Sequence, residues 1–251
     1  MNIVNWLPRY YGGRKLLRNP PQGIHVLDIA CGEGDLTKFL ARSGAKIWGA
    51  DLCEADIRKG LPRNLHPNAA YAVADIGVLP FASESFDWVV SFDTLDDVPE
   101  ELRAIGELTR VVKRGGILLL CVPMKAPTDG DLFWEQRALR RWLPKLLYSR
   151  ARSPTSGRGW LESTREDIVQ FHDYPLEKVV KKFTGFELVE HDYAVKRFSA
   201  LAMDVSQGVR GFPRLGLKPY LYWVSVRLDA LFCRGPRHHG YTILVKLRKK
   251  S

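Results

Sequence analysis

The 251-residue chain lacks most features of a secreted, membrane-spanning or metal-held protein. It has four cysteines, Cys31, Cys53, Cys121 and Cys233, and no CxxC pair. That excludes a disulfide framework and a zinc ribbon, so the thiols are expected to be buried in a reducing compartment, and no metal site is expected. The opening MNIVNWLPRYYGGRK has no basic region followed by an apolar run, so no signal peptide is expected. No uncharged stretch is long enough to span a bilayer. There are no internal repeats. Acids are fewer than bases, 28 against 38, for a net charge of +10. Such a balance suits anionic partners such as nucleic acid, acidic headgroups or acidic small molecules, or else a solvated basic surface.

What is present is an ordinary folded composition, 45% hydrophobic and 26% charged. Residues 1–22 read as a short helix and lead-in. From there strands and helices alternate. The expected strands are 24–30, 45–52, 69–76, 86–95 and 117–123. The expected helices are 34–44, closed by Gly44, then 53–61, ended before Pro62, and 99–114, opened by Pro99 and followed by Gly115 and Gly116. This rhythm implies βαβ units and a parallel sheet, with apolar runs buried on both faces. After Pro123 it stops. It resumes as helix and strand over 174–194 and as a final strand over 240–250. The chain is read as one domain, 1–251. A core at 23–123 carries insertions at 124–172 and 196–238.

The informative stretch is VLDIACGEGDL, residues 26–36. It sets an acid and two glycines directly after an apolar strand. A turn that lets a ligand lie against its backbone needs such glycines. At the first strand-to-helix turn of a parallel sheet, nucleotide-like ligands bind over the strands' carboxyl ends. The spacing is D-x-A-x-G-x-G, not G-x-G-x-x-G, and no Lys-Ser/Thr follows, so it is not a P-loop. GADL ends the second strand with Asp51, where a carboxylate can accept two hydrogen bonds from vicinal ribose hydroxyls.

With VADIGVLPF, FDWVVSFDTLDDV and LTRVVKRGGILLLCVP following in order, the chain resembles the class I S-adenosylmethionine-dependent methyltransferases. The likeness is to the broad group with a compact domain acting on small molecules and lipids. It covers residues 24 to about 123 and is weaker at 174–194 and 240–248. It implies an α/β fold: a doubly wound, mostly parallel, seven-stranded Rossmann-like sheet with helical lid insertions. It also implies S-adenosyl-L-methionine as cofactor. Asp28, Ala30, Gly32 and Gly34 would hold the methionine part, Ala30 standing where many members have glycine. Asp51, with Leu52 beside it, would hold the ribose. Asp75 would meet the exocyclic amine of the adenine, and Ile76 would pack on the ring. Phe92 and Asp93 would lie under the methionine moiety, and Tyr11, beside Tyr10, can close over the cofactor as aromatic residues of the N-terminal helix do in relatives.

The acceptor is not written in the core. The Asn/Asp-Pro-Pro-aromatic motif of base N-methylation is absent; SFDTLDDV stands in its place. Candidate catalytic groups are His172 beside Asp173, His191 beside Asp192, and Asp93, the histidines having a surface role as their plain alternative. Over 137–158 there are seven basic residues and no acid, mixed with Trp142, Leu143, Leu146, Leu147 and Tyr148. Residues 213–235 repeat that mixture with Tyr220, Tyr222, Trp223 and Phe232. Both segments suit a lid over a small or amphipathic acceptor, a lid that meets a membrane surface, or a nucleic-acid groove. The expectation is methyl transfer to oxygen or nitrogen of a lipid, quinone, isoprenoid or lipid-linked sugar, in the cytoplasm or peripherally at the inner membrane face. An RNA methyltransferase and a non-catalytic cofactor-binding subunit are the alternatives.

Overall fold

The computed structural model describes residues 20–92, 94–95, 98–123, 176–194, 224–225, 227–228 and 242–251. The two insertions, apart from four residues near 226, and the expected N-terminal helix lie outside them.

The described elements are strands β1 His25–Ile29, β2 Lys46–Asp51, β3 Ala69–Val73, β4 Phe86–Phe92, β5 Val112–Pro123, β6 Phe186–Ala194 and β7 Thr242–Lys249. The helices are α1 Asp35–Ala41, α2 Glu54–Asn64, α3 Glu101–Val111 and α4 Leu176–Lys182. The strands form one seven-stranded sheet in the order β3-β2-β1-β4-β5-β7-β6. The pairs from β3 to β5 are parallel, while β7 runs antiparallel between β5 and β6. The mostly parallel, doubly wound sheet expected from the alternating pattern is therefore present. Strand order reverses between β1 and β4, and a crevice opens over their carboxyl ends.

Burial explains the apolar runs. Along β1, Val26, Leu27, Asp28 and Ile29 are all buried, because helices cover both faces. One face carries Leu27, Ile29, Val89, Leu118 and Leu120 under Ala104 and Leu108 of α3 and Val179 of α4. The other carries Val26, Ile47, Val90 and Leu119 under Leu36 and Leu40 of α1. Alternation along each strand divides its residues between the two layers. Among the described residues no helix is long and apolar enough to cross a membrane.

Several boundaries differ from the sequence expectations. Helix α2 does not stop before Pro62 but runs through it to Asn64. Proline removes one backbone donor there, yet the continued turn delivers Arg63 and Asn64 to partners on the turn after β1. Helix α3 ends at Val111, and Lys113–Gly116 form a bulge inside β5, between the pairs Phe86↔Val112 and Trp88↔Ile117. A Cβ on Gly116 would sit 2.8 Å from the Lys113 carbonyl oxygen and 2.9 Å from that of Asp87, so the bulge needs glycine there. Asp87 anchors it, accepting from Lys113 Nζ at 2.7 Å and from the His25 N–H at 2.9 Å. Strands β3 and β4 end at Val73 and Phe92, earlier than expected. Cys31 and Cys121 are buried, but Cys53 is exposed, because it caps α2 at the surface instead of entering the core.

Candidate functional site

The crevice at the carboxyl ends of β1 and β2 is built from the turn after each strand. After β1 the backbone enters the left-handed region three times, at Ala30 (φ 59°), Gly32 (φ 53°) and Gly34 (φ 84°). The alternation reverses the chain sharply and delivers Gly34 as the N-cap of α1. Alanine carries a steric penalty at such a φ that glycine does not, so Ala30 is a strained point beside the crevice. A Cβ on Gly32 would meet nothing within 4 Å, so the turn is open on that side. On Gly34 it would lie 2.6 Å from Tyr71 Cε1, so this glycine is required by packing.

Two carboxylates meet at the turn with different roles. Asp51, at the end of β2, accepts the Gly32 N–H on Oδ2 at 2.7 Å and the Cys53 N–H on Oδ1 at 2.8 Å. Each oxygen keeps a second lone pair, so the half-buried carboxylate can still accept two hydroxyl donors. Asp28 lies beneath the turn instead. It is 1% exposed, and Thr37 Oγ1 donates to its Oδ2 at 2.6 Å. Burial pushes the Asp28 carboxyl up from the ordinary value to about 7, the Thr37 hydrogen bond opposing the rise and the negative charge of Asp51 adding to it. Burial likewise pushes the Cys31 thiol up, with the charges of Asp28 and Asp51 adding to it.

The rest of the rim comes from β2, β3 and the loop beyond. Leu52 is 71% exposed, and Val73 and Val78 are also exposed. Asp75 Oδ1 accepts the Gly77 N–H at 2.7 Å, and Asp75 pairs with Val78 across a tight turn. Ile76 is buried in the larger apolar layer. Helix α3 holds this loop. Glu107 Oε2 accepts the Leu79 N–H at 2.7 Å, and Arg110 donates to the carbonyl oxygens of Phe81 (2.7 Å) and Leu79 (3.0 Å). The Arg110 hydrogen bond keeps the Glu107 carboxyl below its ordinary range.

The structure thus brings Asp28, Ala30, Gly32, Gly34, Asp51 and Leu52 together, with Asp75 and Ile76 on the loop after β3 and half-buried Phe92 at the end of β4. It does not bring His191 there. His191 is exposed on β6, four strands from β1 in the sheet, which corresponds to about 19 Å at ordinary strand spacing. Tyr11, Asp93 and His172 lie outside the described residues. Sequence reading missed Thr37, Tyr71, Glu107 and Arg110. It also missed Glu33, whose carboxylate accepts from Lys59 and Arg63, and Asn64. The available signal was glycine inside regular elements. A Cβ on Gly49 would lie 2.7 Å from Thr37 Oγ1, and one on Gly60 would lie 1.8 Å from the Glu33 carbonyl oxygen.

Comparison with known proteins agrees with the fold. The family described as "Methyltransferase domain" matches residues 27–120. The chain is 32% identical over 178 residues to a demethylmenaquinone methyltransferase of Clavibacter sepedonicus, covering 68% of this chain and 69% of that protein. It is 34% identical over 99 residues to a ubiquinone biosynthesis O-methyltransferase of Coxiella burnetii, 39% of this chain and 42% of the relative, so it spans less than half of that protein's length. A solved S-adenosylmethionine-dependent methyltransferase from Mesorhizobium loti shares the fold, with a TM-score of 0.61 at 17% identity over 98% of this chain and 100% of that one.

Proposed function

The chain belongs to the S-adenosylmethionine-dependent methyltransferases, and from that premise we propose that it moves a methyl group from this cofactor to oxygen or nitrogen of a small, apolar or amphipathic acceptor of quinone or lipid type. The observation that carries the reading is the pairing of Asp51 with the open turn at Gly32. A carboxylate with two spare lone pairs faces a backbone with no side chain in front of it.

The residues fit the cofactor. Asp51 accepts the two ribose hydroxyls while its remaining bonds hold the turn in register. The turn through Ala30, Gly32 and Gly34 lets the amino-acid end lie on the backbone. Asp28 supports that turn from below through Thr37. Leu52, Val73 and Val78 offer apolar surface to the adenine, and Asp75 accepts from its exocyclic amine. The cofactor supplies an electrophilic methyl carried on a sulfonium. The protein's share is alignment and exclusion of water. Phe92, at the end of β4, would lie under the methionine moiety.

The acceptor class is supported by the quinone-biosynthesis relatives, the 32% and 34% identical proteins among them. It is supported also by the aromatic and basic residues of 124–172 and 196–238, which suit a lid over an amphipathic molecule at a membrane surface. Cofactor carrying a labelled methyl group, incubated with the protein and a cell extract, tests the reading. Label in the organic phase supports a quinone- or lipid-like acceptor. Label in RNA overturns it in favour of a nucleic-acid substrate. No label, with cofactor bound, makes the chain a cofactor-binding subunit.

A further inference from the structure

Helix α2 touches the cofactor crevice at both of its ends. At its start the Cys53 N–H holds Asp51. Its later turns hold the turn after β1 through Glu33, the residue between Gly32 and Gly34. Glu33 is 3% exposed, and its side chain is tied to the helix: Lys59 donates to Oε1 at 2.7 Å and Arg63 to Oε2. Its carbonyl oxygen accepts from Asn64 Nδ2 at 2.7 Å, and the same amide donates to Asp35 Oδ1 at 3.0 Å. The Asn64 carbonyl oxygen in turn accepts from Tyr71 OH at 2.9 Å, and the Tyr71 ring closes against Gly34. Gly60 lies so close that a Cβ there would sit 1.8 Å from the Glu33 carbonyl oxygen.

A buried carboxylate in a ligand-facing turn costs desolvation and is kept only with partners. Here Lys59 and Arg63, two of its partners, come from one helix. Side chain and carbonyl of Glu33 are fixed together, which sets the plane of the Glu33–Gly34 peptide and with it the path of the turn.

We propose that Glu33 and Asn64, with the bare face of Gly60, are positioning residues for the amino-acid end of the cofactor. The proposal rests on the methyltransferase reading above. Helix α2 then spans two subsites, holding the ribose acid with its first turn and the glycine turn with its last two. Neither Glu33 nor Asn64 touches the methyl group; both act through the backbone of Gly32 and Gly34.

The test uses the full chain and two stable ligands. S-adenosylhomocysteine carries the amino acid, and 5′-methylthioadenosine keeps the nucleoside without it. In calorimetric titrations, Glu33→Gln and Gly60→Ala should each weaken S-adenosylhomocysteine about ten-fold or more while changing methylthioadenosine by no more than about two-fold. A general loss of structure would weaken both ligands alike, and that result overturns the proposal, as does unchanged affinity for both. Glu33→Gln guards against misfolding, since it keeps the length and shape of the side chain and can still accept from one of the two cations, whereas the Cβ of Gly60→Ala runs into the Glu33 backbone and displaces the turn directly. Asp51→Ala in the same titrations should weaken both ligands. If it weakens neither, or if the wild-type protein binds neither, the cofactor reading itself fails and the proposal falls with it.

Discussion

Asp28 shows how one residue reads differently in sequence and in structure. In the sequence it is the acid of a ligand-binding motif; in the fold it is a buried carboxyl hydrogen-bonded to Thr37, with its pKa raised to about 7. A raised carboxyl pKa means that the folded state holds the proton more tightly than the unfolded chain does. Its contribution is fully present below the unfolded value and is lost as pH rises toward about 7. Wild-type protein should therefore lose stability between about pH 4 and pH 7 relative to Asp28→Asn, by a few kcal/mol in order of magnitude. Urea unfolding of both proteins at several pH values checks this; parallel curves would remove the raised pKa from the account. The motif was legible because glycine and acid spacing survives in one dimension. The burial of Asp28 was not, because it follows from α1 and β2 closing over it.

Among the elements, α2 and α3 hold the crevice from outside it. Pro62 leaves the Arg58 carbonyl oxygen without its helical donor. Pro62→Ala should restore that bond and raise stability by about 1 kcal/mol or more. Thermal unfolding decides it, an unchanged or lower midpoint counting against. The expected helix end before Pro62 failed because a local breaker was outweighed by the contacts of Arg63 and Asn64 on the far side. In α3, Arg110 and Glu107 tie down the loop from Leu79 to Phe81. Arg110→Met should cost about 1–3 kcal/mol, the partial exposure of the pair placing it in the lower half of that range. The Leu79 amide should then exchange with solvent faster; unchanged protection there would show that the loop stands without the clamp. Neither tie was legible, since each joins residues about thirty positions apart that the sheet alone makes neighbours.

Across the whole molecule, the crevice exists only when β1, β2 and β4 lie side by side in register, Asp28 beside Gly49 and Val90. The unfolded chain has no such site, so a ligand of the crevice stabilises the fold by mass action. S-adenosylhomocysteine at a hundred times its Kd should add about 2.7 kcal/mol to the unfolding free energy, and Asp51→Ala should abolish that gain. A gain that survives the substitution would move the ribose site elsewhere. The sheet also shows what the linear order conceals. The last strand, β7, pairs antiparallel between β5 and β6, so residues 242–249 complete a core whose first strand begins at His25. By itself the sequence determined the βαβ rhythm, the glycine turn at residues 28–34 and the acid at 51. These depend on local periodicity and on residue types that allow a given backbone. Only the tertiary structure decided that Asp28 is buried, that Glu33 is tied to Lys59, Arg63 and Asn64 of α2, that the glycine pair at 115–116 is a bulge and that His191 lies far from the crevice. Each of those depends on contacts between elements, and packing chose them where local propensity was silent or pointed the other way.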